Sequence, residues 1–327
     1  MLKYVSLIKP TIMTPTRILI IGALGQIGTE LTQYLRNIHG HENVIASDIR
    51  PAIEVEESSH PYVRLDALDA LAIRRLIELE KINHVYLMAA ILSASAEIAP
   101  LKAWDLNINS LFNILEAAKD GLIDRVFWPS SIAVFGPTTP AFMTPQKTVM
   151  EPITVYGISK QTGERWCAYY HKNYGVDIRS LRYPGLISYK TPPGGGTTDY
   201  AIDIFHKALS EGRYTCFLKA DTELPMMYIE DAIRATYEVM TAPSNQLYER
   251  GAYNLAGISF DPKTLVNAIA RIMPGFTVDY VPDFRQAIAD SWPNSIDDSF
   301  ARDHWGWQTK YDLKAIVKAM LKGLNKE

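Results

Sequence analysis

The chain predicts an α/β fold: a doubly wound parallel sheet of the Rossmann type with a smaller C-terminal lobe. Three observations carry this. Short β-branched runs alternate with helical patterns over the first two-thirds of the sequence. The first run, RILIIGA, opens directly into a glycine-rich turn and a helix. Past about Gly185 the alternation gives way to loops and short helices. Strand–helix alternation implies right-handed βαβ crossovers and a parallel sheet. The later change of pattern places a lobe at the carboxyl ends of the strands, where open α/β sheets take their ligands.

In order, RILIIGA (Arg17 to Ala23) reads as a buried strand and QIGTELTQYLRNIHG as a helix ending near Gly40. NVIASD is a second strand and YVRLDALD a third, followed by the helix DALAIRRLIELEKI. HVYLMAA, RVFWPSS and VDIRSLRYP are further strands, separated by the helical stretches NINSLFNILEAAKDGL and SKQTGERWCAYYHKNYG.

Composition excludes several classes. Of 327 residues, 47% are hydrophobic and 21% charged, with a net charge of -3, as in soluble globular chains. No apolar run approaches the roughly 20 residues that span a bilayer. Without a Lys/Arg block there is no nucleic-acid footprint. Cys167 and Cys216 form no CxxC pair, and the seven histidines fall at no metal-ligand spacing. Neither a disulfide framework nor a metal site is expected, and the compartment is a reducing one. The opening MLKYVSLIKPTIMTPTR carries Lys3, Lys9 and Arg17 and no acid. It reads either as an organelle-targeting extension over residues 1–16, hence mitochondrial, or as the untidy N-terminus of a cytoplasmic protein.

Gly22, Gly25 and Gly28 stand in GALGQIG between the first strand and its helix. Such glycines permit a tight turn and let pyrophosphate approach free N–H groups at a helix N-terminus. The turn's Gln26 and Ile27 belong to the same cofactor-facing set. Asp48, 20 residues after Gly28, ends the second strand. A carboxylate there accepts from both hydroxyls of an adenosine ribose and repels a 2′-phosphate, which favours NAD over NADP; neighbouring Arg50 could soften that preference. Tyr156 and Lys160 share a helix face in VYGISK. A lysine ammonium beside a phenol lowers its pKa, which makes Tyr156 a general base. The stretch PPGGGTTDYA (Pro192 to Ala201) has a stiff start, a side-chain-free centre and a polar exit. Gly195 lets the backbone come close to a small polar substrate, and Thr197, Thr198 and Asp199 supply polar groups.

The GxxGxxG turn, an upstream serine and YxxxK together resemble the extended short-chain dehydrogenase/reductase superfamily. Within it the chain is similar to the short-chain-type L-threonine 3-dehydrogenases. The stretches that carry the likeness are GALGQIGTEL, MAAILSAS, PSSIAVFGP, YGISK, RYPGLIS, PPGGGTTDYAIDIFH and LPMMYIEDAIRAT. PGGGTTDYA is the most specific of them. The sugar-nucleotide epimerases of the same superfamily usually carry an asparagine where this chain has Pro184 and Gly185.

The resemblance implies NAD-dependent oxidation of the threonine β-hydroxyl to 2-amino-3-oxobutyrate, on the way to glycine and acetyl-CoA. Tyr156 is then the base and Lys160 its partner and the holder of the nicotinamide ribose. Ser131 holds the reacting oxygen, with Ser130 as the alternative. Ser93 contacts substrate. Asp66 and Ala67 line the adenine side, and Ala89, Ala90 and Ile91 flank the pyrophosphate and ribose. Residues 17–185 form the NAD-binding domain and 186–327 mainly the substrate lobe and lid. The helices around Asn109 to Lys119 and in RWCAYYHKNYG pair with their copies in a homodimer. A nucleotide-sugar epimerase or dehydratase, or a non-catalytic NAD-binding regulator, is the competing reading.

Overall fold

A computed structural model describes residues 15–51 and 61–325. Most of the N-terminal extension, read from sequence either as a targeting segment or as an untidy terminus, therefore lies outside the described residues. The chain begins with β1 (Ile18–Ile21), α1 (Gln26–His39), β2 (Val44–Asp48), β3 (Tyr62–Arg64), α2 (Ala70–Glu80) and β4 (His84–Leu87). Three helices follow, α3 (Ser93–Ile98), α4 (Pro100–Trp104) and α5 (Ser110–Lys119), with a π-helical turn at Asp105–Asn109 joining the last two. Next come β5 (Arg125–Phe127), β6 (Ser130–Ser131), the long α6 (Val155–Tyr174), β7 (Ile178–Arg179), β8 (Leu181–Tyr183) and β9 (Gly185–Ile187).

The main sheet has six parallel strands in the order β3-β2-β1-β4-β5-β7. The all-apolar β1 shows why it is covered on both faces. Ile18 and Ile20 join one buried cluster and Leu19 and Ile21 the other, as the two-residue repeat of a strand requires. Leu31 and Leu35 of α1 pack on the first face. Side chains of α2, α5 and α6, among them Ile73, Ile114 and Cys167, pack on the second.

Two expected strands are each split in the structure. RVFWPSS leaves the main sheet after Phe127, because Pro129 has no N–H for a ladder. VDIRSLRYP divides at Ser180, between β7 and β8. The second halves, β6 and β8, pair with each other in a small separate sheet, with Ser131 opposite Tyr183. Both serines are thereby carried past the edge of the main sheet.

The C-terminal part holds more strand than its loop-rich sequence suggested. It contains α7 (Tyr200–Glu211), β10 (Arg213–Cys216), β11 (Leu224–Tyr228), α8 (Ile229–Thr241), β12 (Tyr253–Asn254), β13 (Ile258–Phe260), α9 (Pro262–Ala270) and β14 (Thr277–Tyr280). Short helices α10 (Arg285–Ala289) and α11 (Ser299–Trp305) and a final α12 (Leu313–Leu324) complete it. These strands are only two to five residues long; β10 and β14 alternate over four residues, too few to stand out, and β11 is buried throughout. Helix α8 returns to the cofactor domain. Its last carbonyls accept from the Arg179 guanidinium, which donates to Val239, Met240 and Ala242.

Candidate active site

Two cavities lie along the carboxyl ends of the main strands and share Met88 and Ala90. The first, of about 240 Å³, is lined by Gly22, Gly25, Asp48, Asp66, Ala67, Ala89 and Ala90. The second, of about 120 Å³, is lined by Gln26, Ile27, Ser93, Ser131, Tyr156, Lys160 and Thr197–Asp199. The set expected from sequence thus divides between two adjoining cavities, the first holding the residues expected at the adenosine end and the second those expected at the reaction end.

At the adenosine end the chain must pass itself very closely. Gly22 has φ +87°, and a Cβ there would lie 2.6 Å from the Ala89 nitrogen. A Cβ on Gly28 would lie 2.2 Å from the Gly22 oxygen, so Gly28 packs the helix onto its strand and does not line the cleft. Helices α2, α6, α9 and α12 are capped by the side chains of Asp69, Thr154, Asp261 and Asp312, whereas α1 has no side-chain cap and no acid in its first turn. That is the donor set a pyrophosphate fits. Asp48 accepts from the Leu24 N–H at 3.2 Å and pairs with Arg50 at 3.4 Å. Arg50 also donates to the Leu24 carbonyl at 2.6 Å. Its guanidinium is therefore held beside the carboxylate, in the cleft that a ribose would enter.

At the reaction end the two adjacent serines separate. Ser130 Oγ donates to Glu164 Oε1 at 2.6 Å, and Glu164 forms a buried two-armed ion pair with Arg182, both arms at 2.8 Å. Ser131 Oγ instead accepts from the Ala133 N–H at 3.1 Å and stands beside the Tyr156 phenol. Burial pushes Tyr156 up to about 12, and the Ser131 hydrogen bond acts downward against it. Burial also brings Lys160 down to about 7, with Cys167 and Glu164 acting in the other direction. Lys160 Nζ donates to the Pro129 carbonyl at 2.5 Å and lies 4.4 Å from the centre of the Trp128 ring. Its distance to the Tyr156 ring centre is 5.5 Å. Desolvation dominates the phenol, and Ser131, not Lys160, is the group that opposes it.

The Pro192–Ala201 loop closes the reaction end. Gly195 has φ +91°, and a Cβ there would meet Ser95 Oγ at 2.2 Å. Asp199 Oδ2 accepts from the N–H groups of Gly195 and Gly196 at 2.9 and 2.8 Å. Burial raises Asp199, and those N–H groups and Arg285 lower it. Ser93 and Thr197 share a hydrogen bond at 3.0 Å, and the Thr197 N–H donates to Ser93 Oγ at 3.2 Å. Three of the polar groups expected to face substrate therefore hold the loop itself. Thr198, half-buried, makes no side-chain hydrogen bond among the described residues and lines the cavity.

Some contributors were not expected. Asn107, in the π-helical turn, accepts from the Ile91 N–H at 2.9 Å and donates to the Ile91 carbonyl at 3.1 Å. It also donates to Ser159 Oγ at 3.2 Å, which ties the end of β4 to α6. Ile91 accordingly serves through its backbone and lines neither cavity. Trp128 lies under Lys160, and Gly163 makes room for it: a Cβ there would be 2.3 Å from the ring. Trp292, from the C-terminal part, closes another wall. Among the described residues no cluster of metal-ligating side chains is found, and no helix is long and apolar enough to cross a membrane.

Fold and cleft together define a dinucleotide-binding Rossmann protein in which a serine, a tyrosine and a lysine line one cavity. The chain belongs to the NAD dependent epimerase/dehydratase family, which matches residues 18–256. An uncharacterized epimerase/dehydratase of Staphylococcus saprophyticus is 49% identical over 310 residues, 93% of this chain and 96% of its own. Among solved structures, a partial consensus L-threonine 3-dehydrogenase is 58% identical with a TM-score of 0.93, covering 95% of this chain and 100% of that one. The holo form of a GalE-like L-threonine dehydrogenase from Cupriavidus necator is 58% identical with a TM-score of 0.92, covering 94% and 99%. The extended short-chain fold and the likeness to L-threonine 3-dehydrogenases read from the sequence are borne out, and NAD is the cofactor.

Proposed function

We propose that the protein oxidises the β-hydroxyl of L-threonine with NAD, giving 2-amino-3-oxobutyrate and NADH. The observation that carries this reading is the loop: Gly196–Thr198 line one small cavity together with Ser131 and Tyr156, and among the described residues the Thr198 side chain makes no hydrogen bond. A small zwitterion offers little apolar surface, so hydrogen bonds must orient it. The similarity to L-threonine dehydrogenases over nearly the whole chain supports the same substrate.

The uncapped start of α1 and Asp48 would hold NAD, whose nicotinamide would supply the hydride acceptor. Tyr156 Oη takes the hydroxyl proton as the Cβ–H bond gives up its hydride and the C=O bond forms. Ser131 Oγ holds the reacting oxygen and acts against the upward push of burial on the phenol. Lys160, within hydrogen-bond reach of Pro129 and close to Tyr156, orients toward the ribose and adds positive charge near the developing phenolate. Ser93 and Thr197 fix the loop, and Thr198 binds the substrate. Residues 17–185 are the NAD-binding domain in this reading, and 186–327 are mainly the substrate lobe, apart from α8.

A homodimer through α5 and α6 belongs to the same reading. The aromatic group Trp166, Tyr169 and Tyr174 on α6 remains 37%, 47% and 50% exposed, which supports it. The staphylococcal source of the curated relatives, cells without mitochondria, supports the cytoplasmic location over the mitochondrial one. The deciding experiment follows NADH formation with L-threonine against a UDP-sugar. NADH formed with threonine alone is the expected result, and turnover of the sugar nucleotide alone would overturn the reading.

A further inference from the structure

One face of α1 is bonded, step by step, to the strand that leads into the Pro192–Ala201 loop. Gln26, Glu30 and Gln33 stand at the spacing that aligns side chains along a helix. Gln26 Nε2 donates to the Leu186 carbonyl at 3.3 Å, and Ser188 Oγ donates to Glu30 Oε1 at 3.2 Å. Lys190 Nζ donates to Glu30 Oε2 at 2.7 Å and to Gln33 Oε1 at 3.1 Å. The partners on the other side, residues 186, 188 and 190, are every second residue of β9 and its continuation. The chain bends at Tyr189 and Lys190, which turns the Lys190 side chain back onto both Glu30 and Gln33.

The position of this seam gives it meaning. Its first member, Gln26, lies in the helical turn that faces the pyrophosphate and also lines the reaction cavity. Its last member, Lys190, precedes Pro192 by two residues. Neither Glu30 nor Lys190 lines the reaction cavity; both border a separate cavity of about 360 Å³ on the outer side of α1. The Glu30 side chain is only 9% exposed, and a carboxylate buried to that extent must be paired.

We propose that Glu30 and Lys190 are positioning residues: their ion pair sets the register of the substrate loop against the NAD-holding helix. Cofactor binding and loop closure are thereby coupled. The inference rests on the reading that this loop closes over the substrate.

The test compares wild type, Lys190→Met and Lys190→Arg by kinetics and by amide hydrogen exchange across Gly194–Thr198, each with and without saturating NAD. In Lys190→Met the KM for L-threonine should rise about tenfold, the cost of one charge-assisted hydrogen bond, and rise by more than kcat falls. NAD should slow loop exchange in wild type and Lys190→Arg but not in Lys190→Met. Lys190→Met leaves the buried Glu30 carboxylate without its cation, so thermal melts of each variant and a Glu30→Gln/Lys190→Met double variant, expected to lose the NAD effect on loop exchange while folded, separate loss of fold from loss of coupling. Equal exchange in Lys190→Met and wild type with NAD bound, or an unchanged KM, would overturn the proposal. If wild type does not oxidise threonine, the proposed activity fails, and the exchange data still decide the coupling.

Discussion

Ser130 donates its hydroxyl to Glu164 across 2.6 Å, which leaves Ser131 as the serine beside Tyr156. The two adjacent residues should therefore fail differently. Ser130→Ala removes a hydrogen bond to a buried, ion-paired carboxylate and should cost about 1.5–3 kcal/mol of stability. Ser131→Ala should leave the melting temperature nearly unchanged and lower kcat/KM about tenfold to hundredfold, through lost orientation of the reacting oxygen. Thermal melts beside steady-state kinetics check the pair, and a stability loss at Ser131 with full activity would reverse the assignment.

Tyr156 supplies the second prediction. Tyr156→Phe should lower turnover by at least about 100-fold while NAD binding changes little, because a positioned acid/base typically contributes that much. The pH dependence follows from the raised phenol, at about 12 in the protein alone. A base must be deprotonated to act, so kcat/KM should climb with pH through neutrality and into the alkaline range. The Ser131 hydrogen bond lowers the Tyr156 pKa, so its removal in Ser131→Ala should move that limb to higher pH. A limb that stays in place or moves to lower pH would mean that another group is the base.

Much of this site was legible in the sequence, for particular reasons. The glycine turn, Asp48, Tyr156 and Lys160 lie on elements whose periodicity is strong, so their placement follows from the chain alone. Asn107 was not legible, because one extra residue in a π-helical turn rotates it onto Ile91 and Ser159. Nor was the inward use of Asp199 and Thr197. Their polar type was evident, but the choice between substrate and the loop's own backbone depends on a fold-back that no local pattern encodes. The direction of the Tyr156 shift was missed for a similar reason: helical spacing brings the lysine near, but the depth of burial is a tertiary property.

Cofactor choice gives the third prediction. Asp48 lines the adenosine end and holds Arg50 at 3.4 Å. Asp48→Ala should weaken NAD binding and narrow the gap to NADP, because it removes the ribose acceptor and frees a guanidinium for a 2′-phosphate. Titration with both cofactors in wild type, Asp48→Ala and the Asp48→Ala/Arg50→Ala double variant checks it. The gap should narrow in the single variant and widen again in the double one. Equal use of NADP by wild type would make the reading of this carboxylate wrong.

The loop gives the fourth. Thr197 and Asp199 are occupied within it, whereas Thr198, with no side-chain hydrogen bond among the described residues, is the loop's side chain available beside Ser131 and Tyr156 to recognise a small polar substrate. Thr198→Val keeps the volume and removes that hydroxyl, so the KM for L-threonine should rise about tenfold or more, as for one lost hydrogen bond in a closed site. Gly195→Ala should do more damage, because φ +91° and a Cβ 2.2 Å from Ser95 Oγ displace the whole turn. Both variants should bind NAD nearly as wild type does, since neither residue lines the adenosine end. Substrate analogues separate hydrogen bonding from apolar fit. L-serine lacks only the γ-methyl, and one methyl is worth about 1–3 kcal/mol, so it should be poorer but detectable. Loss of the α-amino group in 3-hydroxybutyrate, or of the carboxylate in 1-amino-2-propanol, leaves polar groups of the site unpaired and should cost far more. Should 3-hydroxybutyrate match threonine, the loop would not be reading the amino group, and a general hydroxy-acid dehydrogenase would describe the protein better.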